Sequence, residues 1–317
     1  MTHVVKAPDG RKLSVESLGA PWGKPVFLFH GTPGVSTGPR PRGIVLHRLG
    51  IRLISYNRPG YRGSDRKLQR SVADAAEDVA AIADYFEIDR FSVVGRSGGA
   101  PHALACAAIL NQRVSCGATL SSLAPCDAAG LDWSAGMTEF NVKAYRNARA
   151  DLVTLIATLN EQAGQVRGNP EGLLEQLWPE LGSDDRDVIG DIALRRIIAE
   201  VHAEALRETA DGWIDDVVAL SRPWGFDLSD IIVRVKLWHG SNDVFSPVSH
   251  AYWLSQQIPH AVLSIETDQA HFGSVGIMVE ILRWVAEQAG NSLQSGAPAT
   301  GPAPVTPASA TAAASAC

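Results

Sequence analysis

The sequence predicts an α/β fold: a doubly wound, mostly parallel sheet interrupted once by an inserted helical cap. Two observations carry this expectation. Short apolar runs alternate with helical stretches in the first and last parts of the chain, and residues 125–222 show helical pieces with no convincing strand. A third sets the strand direction, because the runs are continuously apolar, as in strands of a parallel sheet covered on both faces.

In order along the chain, "KLSVESLG" alternates like a strand, "PVFLFHG" is a short apolar run ending in Gly31, and "IRLISYNRPG" is another, stopped by Pro59 and Gly60. "SVADAAEDVAAIADYFEI" places Val72, Ala75, Ala76, Val79, Ile82 and Ala83 on one helical face, with Asp and Glu opposite and Ser71 as N-cap. "FSVVG", the helix "APHALACAAIL" and "VSCGATLSSLAP" continue the alternation. The expected cap contains "LVTLIATLNEQAG", "LLEQLW" and "RRIIAEVHAEAL", after which "VRVKLWHG", "SHAYWLSQQI", "AVLSIE" and "VGIMVEILRWVAEQAG" resume strand–helix patterning. The expected domains are therefore a core of residues 1–124 and 223–290, a cap of residues 125–222, and an Ala/Pro/Ser-rich tail of residues 291–317. That tail has too few large apolar residues to offset its ordering entropy, so disorder is expected there.

Composition bounds the function classes. With 317 residues, 45% hydrophobic and 20% charged, the chain can bury a sizeable core. A net charge of −6 and no long Lys/Arg run argue against nucleic acid as a partner. No signal-peptide core and no run of about 18 apolar residues is present, so no membrane partner is expected and the cytoplasm is the expected location. Cys106, Cys116, Cys126 and Cys317 lack metal-ligand spacing and read as small buried apolar residues or a tail thiol.

Chemistry concentrates at "GRSGG". Gly95-Arg96-Ser97-Gly98-Gly99 fits G-x-S-x-G directly between a strand and a helix. A nucleophile on such a tight turn needs neighbours without Cβ atoms, which Gly95 and Gly99 supply, and the helix start offers free N–H groups to a developing oxyanion. The same serine would also serve as a plain N-cap. A serine hydroxyl needs a base, itself oriented by an acid, and both follow in the order Ser97, Asp243, His271, each just beyond a predicted strand. Loops at that sheet edge converge in open α/β folds. Asp127 is the second candidate for the acid.

In "FLFHGTPGV" the turn after the strand can aim the backbone N–H of Thr32 at the oxygen contacted by the N–H of Gly98, whereas Pro33 has no N–H; His30 reads as structural. Arg96 must be paired or solvated, which leaves two roles: a structural ion pair beneath the site, or positioning of the catalytic loop or of a substrate carboxylate. Trp133, Met137, Phe140, Tyr145, Trp178, Trp213 and Trp224 in and near the cap read mostly as core, with a few lining an apolar pocket.

Together "HGTPG", "YNRPGYRGSD", "GRSGGAPHA", "WHGSNDVFSP" and "AHF" resemble the α/β-hydrolase superfamily over about residues 1–124 and 223–290. The resemblance implies Ser97 as nucleophile, His271 as base then acid, Asp243 as orienting acid, and Thr32 and Gly98 as oxyanion hole. Ser97 argues against branches that use an Asp nucleophile, and Arg96 and Gly98 depart from the G-G-S-W-G elbow of proline iminopeptidases. The expected activity is hydrolysis of a carboxylic ester, thioester or lactone of a small molecule through an acyl-enzyme, with no metal or organic cofactor. Acyl transfer, proline iminopeptidase-like amide cleavage and ligand reception by the same fold are the alternatives, and oligomeric state stays open.

Overall fold

A computed structural model describes residues 1–294. Among the described residues eight strands form one sheet: β1 (Thr2–Lys6), β2 (Lys12–Gly19), β3 (Lys24–Phe29), β4 (Ile51–Tyr56), β5 (Phe91–Arg96), β6 (Val114–Leu120), β7 (Val235–Gly240) and β8 (Ala261–Glu266). Their spatial order is β1-β2-β4-β3-β5-β6-β7-β8. The pairs β1/β2 and β2/β4 are antiparallel and the remaining five are parallel. The chain thus starts as a hairpin at one edge and then winds β-α-β units outward from β3 in both directions.

Twelve helices accompany the sheet among the described residues: α1 (Gly43–Arg48), α2 (Ala75–Tyr85), α3 (Ala100–Ile109), α4 (Glu139–Ala150), α5 (Leu152–Gly168), α6 (Gly172–Leu177), α7 (Ser183–Gly190), α8 (Ile192–Ala205), α9 (Asp211–Leu220), α10 (Val248–Gln257), α11 (Gly273–Gly276) and α12 (Met278–Gln294). Helices α4 to α9 fall between β6 and β7, where the strandless stretch of sequence lies. Among the described residues no helix is long and apolar enough to cross a membrane.

Side-chain alternation along the strands divides the core in two. Phe27 and Phe29 of β3 and Val93 of β5 face α2, α3 and α10, while Val26 and Leu28 of β3 and Val94 of β5 face α1 and α12. Every residue of β5 is buried, as expected for a central strand covered on both sides. Helix α12 contributes Ile281, Leu282 and Val285 to the second face, all inaccessible, and each such burial is worth roughly 1.5–3 kcal/mol. Helix α3 has no polar face because residues 100–108 are all buried; small alanines let it lie close to β5 and β6, directly behind Ser97.

Several local expectations change. Helix α2 begins at Ala75, with Asp74 rather than Ser71 at its N-cap position. Ser71 donates both its N–H (2.6 Å) and its hydroxyl (2.9 Å) to the Asp74 carboxylate, so its oxygen is not used to cap a helix amide. Asp78, expected on the solvated face of α2, is buried and accepts from Arg11 Nη2 at 2.8 Å. Sequence patterning assigned no strand to residues 2–6 and no helix to α1; the first has only Val4 and Val5 as apolar residues, and the second is a six-residue segment. Cys106 and Cys116 are buried, and burial pushes the Cys116 thiol up to about 11. Residues 291–294 extend α12, while the rest of the expected disordered tail, Cys317 included, lies outside the described residues.

Candidate active site

Ser97 sits between β5 and α3 with a φ of 52°, a left-handed conformation that costs a residue bearing a Cβ on the order of 1–3 kcal/mol. The surrounding glycines make that turn sterically feasible. A Cβ on Gly95 would come within 2.5 Å of Ala100 Cα, and one on Gly99 would stand 2.7 Å from the Phe29 carbonyl oxygen. The sharp turn lifts the Ser97 side chain above the carboxyl edge of the sheet, into a cavity closed on the other side by α4, α6, α8 and α9.

The loops after β7 and β8 bring two more side chains to that point. His271 Nε2 lies 3.0 Å from Ser97 Oγ, and His271 Nδ1 lies 2.9 and 3.1 Å from the two oxygens of Asp243. A carboxylate only accepts, so Nδ1 carries the proton and Nε2 is free to accept the Ser97 hydroxyl proton. Asp243 is 4% exposed. Its Oδ1 also accepts the N–H groups of Phe245 (2.8 Å) and Ser246 (3.0 Å), and its Oδ2 accepts the Ser246 hydroxyl (3.2 Å). Burial alone would raise its pKa, but the adjacent His271, the nearby His239 and these hydrogen bonds hold it at about 2. Asp127 is exposed, and the Nδ1 of His271 is occupied by Asp243.

Thr32 and Gly98 stand side by side, since a Cβ on Gly98 would overlap the Thr32 side chain. The loop carrying Thr32 is held from below by Arg58. Its Nη1 donates to the His30 carbonyl, and its Nη2 donates to Gly31 O (3.0 Å) and Thr32 Oγ1 (2.9 Å). The His30 ring donates from Nδ1 to Gly31 O and accepts the Arg58 N–H on Nε2 (3.2 Å), a structural role in keeping with its sequence assignment. Burial and the Arg58 charge keep it neutral.

Beneath this loop lies Asp216 of α9, fully buried, which no sequence reasoning singled out. It accepts from Arg58 Nη2 (2.5 Å), Arg70 Nη2 (2.5 Å), the Tyr61 hydroxyl (2.8 Å) and the Thr32 hydroxyl (2.6 Å). Against the effect of burial, the two guanidinium groups drive its pKa far below the usual carboxylate range. The one available signal was an acidic pair, Asp215-Asp216, inside the otherwise apolar "GWIDDVVAL".

Arg96 departs from one of its two expected roles. It is 8% exposed, and among the described residues no carboxylate lies within the 4.0 Å of an ion pair; its guanidinium donates once, from Nη1 to Ser274 Oγ at 3.3 Å. Of the seven aromatic and Met residues named in and near the cap, Phe140, Tyr145 and Trp213 line the cavity. Trp133 is buried and donates to Ala124 O (2.8 Å), Trp178 is exposed, Trp224 is buried and stacked on Phe226, and Met137 packs on the core.

Asp185 of α7 is a further residue absent from the sequence reasoning. Its Oδ1 accepts the N–H of Phe272 at 2.8 Å, next to His271, while its buried Oδ2 has no partner among the described residues. Burial pushes its pKa up to about 6. A carboxyl group with a raised native pKa stabilises the fold below its unfolded value near 3.8, and loses that contribution as pH rises through about 6. The difference of about two units corresponds to about 3 kcal/mol. Asp185→Asn keeps the acceptor for Phe272 and removes the charge. Urea unfolding should therefore show the variant about 2–3 kcal/mol more stable than the wild type at pH 8 and nearly equal to it at pH 4; an unchanged difference at the two pH values would contradict this ionisation.

A family model of the alpha/beta hydrolase fold matches residues 24–159. An esterase from Rhodococcus sp. ECU1013 is similar in structure, with a TM-score of 0.62 and 20% identity over 93% of this chain and 99% of that one. The enol-lactonase from Burkholderia xenovorans LB400 gives 0.67 and 17% over 91% and 100% of the two chains. A bromoperoxidase from Bacillus anthracis gives 0.66 and 17% over 93% and 100%. A search of curated protein sequences finds no match. The mixed eight-stranded sheet, the strand-to-helix turn at Ser97 and the family match agree, and the chain has the α/β-hydrolase fold.

Proposed function

We propose that this protein is a serine hydrolase that cleaves a carboxylic ester, thioester or lactone of a small molecule through an acyl-enzyme. The observation that carries the proposal is the unbroken hydrogen-bonded row Asp243–His271–Ser97 opening into a cavity beside Thr32 and Gly98. Similar folds bear the names esterase and enol-lactonase, which agrees with this chemistry. One also bears the name bromoperoxidase, so the reaction is argued from the site and not from the fold.

In this mechanism the Ser97 oxygen attacks the substrate carbonyl carbon while its proton passes to His271 Nε2. The new C–O bond pushes the carbonyl electrons onto oxygen, and the N–H groups of Thr32 and Gly98 stabilise that charge. Asp243 fixes the histidine tautomer and stabilises the imidazolium. The tetrahedral intermediate collapses, the C–O or C–S bond to the leaving group breaks, and His271 returns its proton to that group. Water then attacks the acyl-serine with His271 again as base, releasing the acid and restoring Ser97.

Cleavage after an amino-terminal residue is the weaker reading, because none of the residues lining the cavity is Asp or Glu, so it offers no counter-charge to an ammonium group. The test is a panel of chromogenic esters, thioesters and lactones of varied acyl length, with Ser97→Ala as the blank and an added alcohol or amine acceptor to reveal acyl transfer. Turnover of at least one member by the wild type and none by the variant is expected; no turnover of any member would reject the proposal.

A further inference from the structure

One charged group in the cavity wall has no counter-charge. Arg58 and Arg70 share the Asp216 carboxylate, yet Arg96, also buried, meets among the described residues only the Ser274 hydroxyl. Four of its five N–H donors are left without a protein acceptor among the described residues. Burial lowers its pKa to about 10 with no carboxylate acting against it, so the group is still a cation at neutral pH. His202 of α8 lines the same cavity, and its buried Nδ1 is likewise without a partner among the described residues. Burial and then the Arg96 charge bring His202 down to about 4, so it is a neutral ring able to donate one hydrogen bond.

The position of this cation is as informative as its isolation. The point where a Cβ on Gly31 would sit is 3.4 Å from Arg96 Nη2 and 3.6 Å from Ser97 Cβ, so guanidinium and nucleophile flank the same small space. Elsewhere the wall is largely apolar, formed by Leu123, Phe140, Leu173, Leu177 and Trp213. A buried, unpaired cation costs the fold free energy, and an ionised ligand group with planar acceptor geometry recovers it through charge-assisted hydrogen bonds.

We propose that Arg96, together with His202, recognises a carboxylate on the substrate, so that the preferred substrates are esters or lactones carrying an ionised carboxyl group a short spacer from the scissile carbonyl. This rests on the ester-hydrolase reading of the site. The carboxylate resides either on the acyl portion, as in a half-ester of a dicarboxylic acid, or on the alcohol portion, as in an acylated hydroxy acid.

The experiment follows hydrolysis in a pH-stat. Monoethyl malonate, succinate, glutarate and adipate are compared with ethyl esters of neutral acids of matching length, and 3-acetoxypropionate is compared with propyl acetate. The wild type should favour one anionic series over its neutral partner by about tenfold or more in kcat/KM, chiefly through KM, and the favoured series shows which portion bears the carboxylate. Arg96→Met should bring that ratio close to one, and Arg96→Lys, which keeps the charge without the planar fork, should retain part of it. No anionic preference in the wild type, or the same ratio in Arg96→Met, overturns the proposal; an equal fall for neutral and anionic esters would make Arg96 a loop-positioning residue instead. A binding arm separates this from failure of the hydrolase reading. Monoethyl succinate should raise the Tm of Ser97→Ala more than diethyl succinate does, and the excess should vanish in Ser97→Ala/Arg96→Met. Absence of that excess overturns the carboxylate site whether or not any ester is cleaved.

Discussion

Ser97→Ala is expected to lower kcat on the best ester substrate by about 10⁶-fold, the cost of removing the nucleophile from a working serine triad. The reason is local. The hydroxyl is the one oxygen 3.0 Å from His271 Nε2, and without it the base has only water to activate, in a position the protein does not fix. Substrate binding should change little, because Arg96, Thr32 and the apolar wall are untouched. Stability should also change little, since alanine meets the same penalty as serine at a φ of 52°. Ser97→Gly separates the two effects: equally inactive, but more stable than Ser97→Ala by about 1 kcal/mol, because glycine adopts this conformation freely. Steady-state kinetics with matched urea unfolding checks both points, and residual activity above about 1% in a contamination-free Ser97→Ala preparation would exclude Ser97 as the nucleophile.

Asp216→Ala is expected to cost the fold about 3–5 kcal/mol, the range for removing one partner from a buried charge cluster. Asp216 is inaccessible and holds Arg58 and Arg70, whose side chains are each no more than 2% exposed, so the variant leaves two guanidinium groups buried against a missing carboxylate. The loss should reach activity as well, because Arg58 and Thr32 both lean on Asp216, and their loop holds the N–H of Thr32 proposed as an oxyanion donor. Asp216→Asn keeps the shape and one acceptor oxygen and should fall between alanine and wild type. Urea unfolding measures the first effect, and kcat of the still-folded fraction the second. A loss below about 1 kcal/mol would show that water enters and solvates the arginines, and that this cluster does not hold the loop.

The site was legible to different depths for physical reasons. The turn at Ser97 announces itself locally, since its glycines are required by close approach of Ala100 and Phe29 to the chain. Asp243 and His271 were legible because each lies just past an apolar strand, and parallel strands deliver their ends to one edge. Asp185 and Asp216 were not, because each sits on a helix of the insertion, and helical periodicity says which face is apolar without saying which loop of the core that face will meet. Asp78 shows the same limit on a smaller scale: its position on α2 looks solvated until Arg11 from the first hairpin reaches it.

The α/β alternation and the position of the helical insertion follow from local strand and helix patterning, and so does the placing of Ser97, Asp243 and His271 just beyond strands, but the choice of Asp243 over Asp127 does not. That Asp216 has two ion-pair partners while Arg96 has none among the described residues is a matter of tertiary packing. Both depend on how helices α7 to α9 settle over the sheet, and the partner of a buried charge is set by packing between segments more than a hundred residues apart. That packing turns Arg96, beside Ser97, from a structural cation into the group proposed to read the substrate.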